Sequence, residues 1–419
     1  MNPGVTILLG LGAILGLLTG FGIAGVSLTG ALAIGVSLVV AGVAALGGRF
    51  VARHRPPNAA LPTDSPLSGG SPWRGRLTPA EGVLLAAIVL IVGVAAWRAA
   101  FYPVSAMDAH AYDGRARWIV AEQTLDLSIY DTPGLDGRSN LTYPPGYPLS
   151  LALVYWFGGT EGKIIDIAWL VALLLVLFDF VSRRSTRLIG LVGVFLLVAA
   201  PEFWRHASLG LTNLATTAAI GAATLLATDR QSAWRPALLF GLATLLRIDS
   251  VVLALAVALF LALRWRSARM LLMAVPALAV ALGWQLTLKA RLGMDSTSAL
   301  RASWAPDWKL LTDATAAAFG ALSRQELYGW CVAVFAFGLL VSIRRWRRLP
   351  EDVRTLLLLV LVQFLAILVL YQQIDPAFGG GGGSYFANSL KRALFVLMPG
   401  GVAAGLLAFA ARPIDDPRP

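Results

Sequence analysis

Apolar residues in this chain come in long uninterrupted runs rather than in alternation. The runs 83–96, 356–370 and 394–411 carry no charged residue, and with their flanks they reach bilayer-crossing length, which is about 20 residues. Twelve such segments can be drawn, near 5–25, 28–48, 81–101, 164–181, 187–200, 211–227, 236–247, 249–264, 269–288, 327–343, 354–371 and 390–411. The pattern predicts an all-α polytopic membrane protein of about twelve transmembrane helices. The segments at 187–200 and 236–247 are short, which fits tilted or re-entrant geometry. Pro276, Gly283 and Gly338 lie inside spans, where neighbouring helices can satisfy the backbone groups they free.

The polar positions between the runs set the orientation. Arginines gather at 49, 53, 55, 74 and 76, at 183, 184 and 187, at 264, 266 and 269, and at 344, 345, 347 and 348. Twelve spans put every one of these clusters on the same side, which the positive-inside rule makes cytoplasmic, together with both termini. Nothing in the first residues has the basic start of a cleavable signal peptide. Residues 1–50 read as two accessory helices and 51–78 as a cytoplasmic linker rich in Pro, Ser and Gly. The core is 79–411, and 412–419 is a short cytoplasmic tail. No internal repeat of the transporter kind is evident. The opposite face carries long connections near 102–163, 289–326 and 372–389, the first of them net acidic.

Composition agrees with lipid as the solvent: 57% of residues are hydrophobic, only 14% are charged, and the mean hydropathy is +0.72. Globular cores stop growing before they could hide that much apolar surface. The net charge of +11 is mostly arginine clustered between spans, so it reads as membrane orientation and not as nucleic-acid binding. Cys331 is the only cysteine, which excludes an intrachain disulfide and a cysteine-based metal site. High Ala, Leu and Arg with little Lys points to a bacterial inner (plasma) membrane.

The loop 102–163 is where the sequence becomes specific. Asp108 stands a few residues beyond the third span, and from there to Gln123 the spacing predicts a helix. Asp108, Tyr112, Arg115 and Ile119 would share one face of it. Asp108 is equally suited to capping that helix, and Arg115 and Arg117 to contacting headgroups. Further on, Tyr143-Pro144-Pro145 makes a stiff segment. The apolar, aromatic stretch 147–157 is too short to span and predicts a juxtamembrane helix in the interface plane. Arg98, Arg247, Lys391 and Arg392 sit at the outer ends of spans, against the positive-inside trend. Charges at that depth are costly, so they are functional, paired or snorkelling.

The pattern Asp108-Ala109, Tyr112, Arg115-Ala116-Arg117, followed by Tyr143-Pro144-Pro145 and Pro148, resembles the signature of GT-C-type membrane glycosyltransferases. Protein O-mannosyltransferases and the lipid A aminoarabinose transferase are of this type. The resemblance covers about residues 80–400. It implies a GT-C-like core with a large catalytic first outer loop, and Asp108 as general base. The lipid phosphate or sugar would be held by Arg115, Arg117, Tyr143, Arg247, Lys391 and Arg392. Tyr112, Asp113, Asp249, Glu202 and His206 are further candidates. Where the family commonly carries a second Asp, this chain has Asn213, a departure that leaves a divalent cation open; no cofactor or metal ligand is otherwise implied. The implied activity is transfer of a sugar from a polyprenyl-phosphate donor to a glycan, lipid or protein acceptor at the outer membrane face. A transporter or flippase of a lipid-linked or polar solute is the alternative. It requires polar groups at mid-membrane depth, of which Gln363 is the clearest. The glycines 379–383 suit a lid or a tether equally well.

Overall fold

The computed structural model describes residues 2–53, 76–104, 107–125, 144–292, 307–372 and 383–410. Among them the regular elements are all helical, without a strand. Tyr143, most of the linker 51–78 and the glycines 379–382 lie outside the described residues.

Each of the twelve apolar segments falls on a helix. Six meet the length and apolarity needed to cross a membrane: Pro3–Ile23, Pro79–Phe101, Gly162–Arg184, Ala268–Ala290, Glu351–Gln372 and Ser389–Ala410. The first two are α1 and α3, and between them runs α2 (Gly30–Arg53). Four further apolar helices are shorter: α7 (Arg187–Ala199), α9 (Thr212–Leu226), α10 (Trp234–Leu246) and α11 (Ser250–Arg264). At 1.5 Å per residue they span about 20–23 Å, less than the roughly 30 Å of a hydrocarbon core. Local chemistry explains where they stop. Thr186 caps the start of α7 by accepting from the Ile189 N–H at 3.3 Å, and Pro201 follows its end. The turn before α9 contains Gly210 at φ +71°, a conformation that side chains with a Cβ rarely adopt. α10 ends where Arg247 becomes extended.

Between these spans lie the outer-loop helices. α4 (Met107–Glu122) and α5 (Gly146–Trp156) belong to the long loop, and α6 (Ile165–Arg184) follows it. α8 (Pro201–His206) bridges α7 and α9. After α12 (Val275–Leu292) come α13 (Trp308–Leu322) and α14 (Gln325–Tyr328). α15 (Cys331–Arg345), α16 (Glu351–Gln372), α17 (Gly383–Leu394) and α18 (Met398–Ala410) complete the chain. The first turn of α4 already contains Asp108, so that residue lies inside the helix and does not cap it. α5 packs against the rest of the bundle, with Gly146 through Leu153 all buried.

The helices pack as membrane bundles do, through small residues. A Cβ placed on Gly338 of α15 would stand 2.5 Å from Gly405 Cα on α18. α1 is part of this packing, not an appendage to it. Leu8, Leu15 and Leu18 are fully buried, and the Asn2 amide donates to the Leu175 carbonyl on α6 at 3.2 Å.

Arginines tie the helices together at one end of the bundle. Arg187 engages Glu81 through Nε at 2.8 Å and Nη2 at 2.6 Å. Arg184 reaches Asp352 at 2.5 Å, and Arg264 donates to Thr355 at 3.1 Å. The loop helices α4, α5 and α8 lie on connections at the opposite ends of these helices.

Candidate functional site

The buried face of α4 consists of Ala109, Tyr112, Arg115, Ala116 and Ile119, at the spacing of three and four that one helix face requires. Tyr112 meets Tyr147 of α5 edge to face, with ring centroids 5.3 Å apart. Arg115 lies over the Trp284 ring of α12 at 5.8 Å. This packing fixes the axis of α4 and leaves Asp108, at its first turn, facing α17. There Arg392 Nη1 donates to Asp108 Oδ2 at 2.8 Å. The two side chains remain 38% and 45% exposed, so solvent screens their attraction, and such a pair contributes at most about 1 kcal/mol.

Arg247 occupies the turn between α10 and α11. Its guanidinium forks onto Asp249, with Nε to Oδ1 at 3.0 Å and Nη2 to Oδ2 at 2.8 Å. The remaining nitrogen, Nη1, donates to Asn213 Oδ1 at 3.0 Å. Arg247, Asp249, Asn213 and Arg392 line one small open pocket of ≈ 20 Å³, closed on its apolar side by Ile220, Leu253, Ile367 and Val396. Residues from four separate stretches of chain therefore converge on a space edged by two guanidiniums. The family-like position Asn213 is spent as an acceptor for Arg247.

Glu202 and His206 form a second group beside the pocket. His206 Nε2 lies 2.9 Å from Glu202 Oε2, and its ring rests against Phe395, just beyond Arg392, with centroids 5.1 Å apart. Burial pushes the His206 imidazole below its ordinary value, and the nearby positive charge of Arg392 pushes the same way, against the hydrogen bond to Glu202. A neutral ring donating Nε2–H follows. Burial alone would raise Glu202, but the hydrogen bond from His206 and the cations Arg205 and Lys391 outweigh it and hold the carboxyl below its usual range. The Lys391 carbonyl accepts from the Tyr328 hydroxyl at 2.7 Å, which anchors the end of α17 to α14.

Arg117 and Asp113 belong to a different cluster. Arg117 Nε contacts Asp113 Oδ2 at 2.8 Å, and its guanidinium stacks on Tyr155 at 4.6 Å. The Tyr155 hydroxyl also donates to Asp113. Burial, with that hydrogen bond, pushes the Tyr155 hydroxyl up to about 12. Tyr155 is thus a neutral donor at physiological pH, and the trio braces α4 on α5. Arg98 stands over Trp204 at 4.6 Å and Tyr102 at 5.0 Å.

Sequence reasoning missed the carboxylate at the start of α6. Asp166 is fully buried, and both of its oxygens lie within reach of the Tyr147 hydroxyl, at 3.0 and 2.9 Å. The positive charge of Lys163 lies nearby. Burial, and then the adjoining Asp166 charge, drive the Tyr147 hydroxyl well above its ordinary value. An acid at the head of an apolar span was the available signal. It reads as a capping residue unless the partner Tyr147 is known.

Among the described residues no group of three or more His, Cys, Asp or Glu stands together as a metal site. The chain matches no family model, no curated protein and no solved structure. What the fold and composition define is a helical, membrane-embedded protein; activity has to be argued from the pocket itself.

Proposed function

We propose that this protein is a GT-C-like glycosyltransferase using a polyprenyl-phosphate sugar donor at the non-cytoplasmic face, with the shorter helices completing its twelve spans. The observation that carries the reading is the convergence of Arg392 and Arg247 on one pocket, with Asp108 hydrogen-bonded to Arg392. A phosphate on C1 of a sugar leaves with negative charge, and fixed cations act most strongly on that charge as it develops. Arg247 is held ready by Asp249 and Asn213; Arg392 is held by Asp108. An acceptor hydroxyl would attack C1 as the bond from C1 to the phosphate oxygen breaks. The electron pair leaves with the phosphate, and the hydroxyl proton passes to the Asp108 carboxylate. The half-exposed pair between Asp108 and Arg392 is weak enough for a phosphate to displace. Donor binding would then draw Arg392 onto the phosphate and free the base, giving an order of donor first and acceptor second.

The transporter alternative loses its clearest support. Gln363 is 1% exposed and donates to Thr224 Oγ1 at 2.8 Å, so it serves helix packing and lines no path. Native mass spectrometry of protein purified from a bacterial membrane tests the proposal. Wild type and Asp108→Asn should carry a polyprenyl phosphate, and Arg247→Ala with Arg392→Ala should not. Asp108→Asn should lower sugar transfer by about a hundredfold or more. Full transfer by Asp108→Asn would rule the assignment out.

A further inference from the structure

The mechanism above uses Asp108 but not the buried acid one helix away, and the geometry around that acid has a direction. Asp166 accepts from an element that packs on α4. On one side the Tyr147 hydroxyl reaches it at 2.9 Å, and the Tyr147 ring packs edge to face on Tyr112. On the other side lies the Gly210 turn, next to Lys163. A Cβ on Gly210 would stand 3.8 Å from Ala109 Cβ, and Ala109 is the neighbour of Asp108. The Tyr147 ring thus meets α4 at residue 112, one turn from Asp108. The turn holding Gly210 continues directly into Asn213, the acceptor for Arg247.

We infer that Asp166 is a positioning residue for the transfer reaction, holding the first turn of α4 so that Asp108 meets the bound donor. The inference rests on the transferase reading for its kinetic part, but its structural part does not need it. A structural ion pair alone would call for an adjacent cation bonded to the acid. Here the Lys163 ammonium instead donates to the Tyr102 carbonyl, so the hydrogen-bond partner of Asp166 is the Tyr147 hydroxyl that leads to α4. Misplacing a reacting group by an ångström costs about a hundredfold in rate. Arg247 keeps its own fork to Asp249, so donor capture should survive the loss of Asp166.

Three variants of the full-length protein in nanodiscs test this: Asp166→Asn, Tyr147→Phe and Asp108→Asn. Tyr147→Phe removes only the hydroxyl and keeps the ring, so it reports on the same link if Asp166→Asn folds poorly. Spin labels at His110→Cys on α4 and Gln325→Cys on α14, both exposed positions, measure where α4 sits. Asp166→Asn and Tyr147→Phe should broaden or shift that distance, and Asp108→Asn should not. With a polyprenyl-phosphate sugar as donor, Asp166→Asn should lower kcat by about a hundredfold and leave the donor KM within about threefold. An unchanged distance in both variants would overturn the inference, and so would a loss confined to KM. A shifted distance in a protein without transfer activity would leave Asp166 as the brace of α4 and sink the transferase reading alone.

Discussion

His206 shows how one buried side chain ties the site to pH. Its imidazole is held below the ordinary value by burial, so the unfolded chain takes up a proton more readily than the folded one below about pH 6.5. Stability therefore falls as pH drops through that value. Glu202 is also held low, but its stabilisation stays in place above the ordinary carboxylate range and is lost only in stronger acid. Between pH 7 and pH 5 the fall should come from His206. Thermal unfolding in detergent should show Tm declining over that window, with His206→Gln flattening the slope because the amide keeps a donor for Glu202 and does not titrate. An unchanged slope in that variant would show that another group carries the effect. Arg247 makes the complementary point about geometry. Its planar fork satisfies Asp249 and Asn213 at once, which a lysine could not do.

At the scale of elements, the crossing of α15 and α18 sets how closely two helices approach. The atoms facing Gly405 are backbone: a Cβ there would lie 2.6 Å from the Val334 carbonyl oxygen. Backbone cannot move aside as a side-chain tip can. Gly405→Leu should therefore cost about 1–3 kcal/mol or more, read as a lower Tm in detergent, and a wild-type Tm would contradict the packing described. α18 continues from α17, which carries Lys391 and Arg392, so the same variant should also weaken lipid-phosphate retention. The periodicity of α4 was readable in advance because its apolar positions recur at three and four. Its partners were not, since nothing local indicates that Tyr112 faces Tyr147 or that Arg115 faces Trp284. The N-terminal pair of helices was equally opaque. Featureless glycine-rich spans look dispensable, yet the Leu28 N–H that follows α1 donates to the Gln123 carbonyl at the end of α4, at 2.6 Å.

For the molecule as a whole, the arginine-tied end and the Asp108 end are opposite faces of one helical bundle, and the proposed orientation makes a simple prediction. Cys331 is buried, at 1% exposure, so the wild-type protein should resist thiol labelling. In intact bacteria an impermeant maleimide should label His110→Cys, and it should reach Arg347→Cys only after the cells are opened. The reverse pattern would invert the topology and put the pocket on the wrong side for a donor presented outside the cytoplasm.

The sequence alone determined the class of protein, because hydropathy is a property of contiguous residues facing a solvent, and lipid imposes it segment by segment. It also marked the outer-end cations, since a charge next to an apolar run is visible without knowing its partner. Tertiary structure alone decided which of them work together. Arg392 reaches Asp108 across 284 residues of sequence, while Arg117, only a few residues beyond Asp108, turns to Asp113 and Tyr155. Asp166 became more than an acid at a helix start only once Tyr147 closed on it. Such pairings depend on how separate helices pack, and no local pattern of residues encodes that distance.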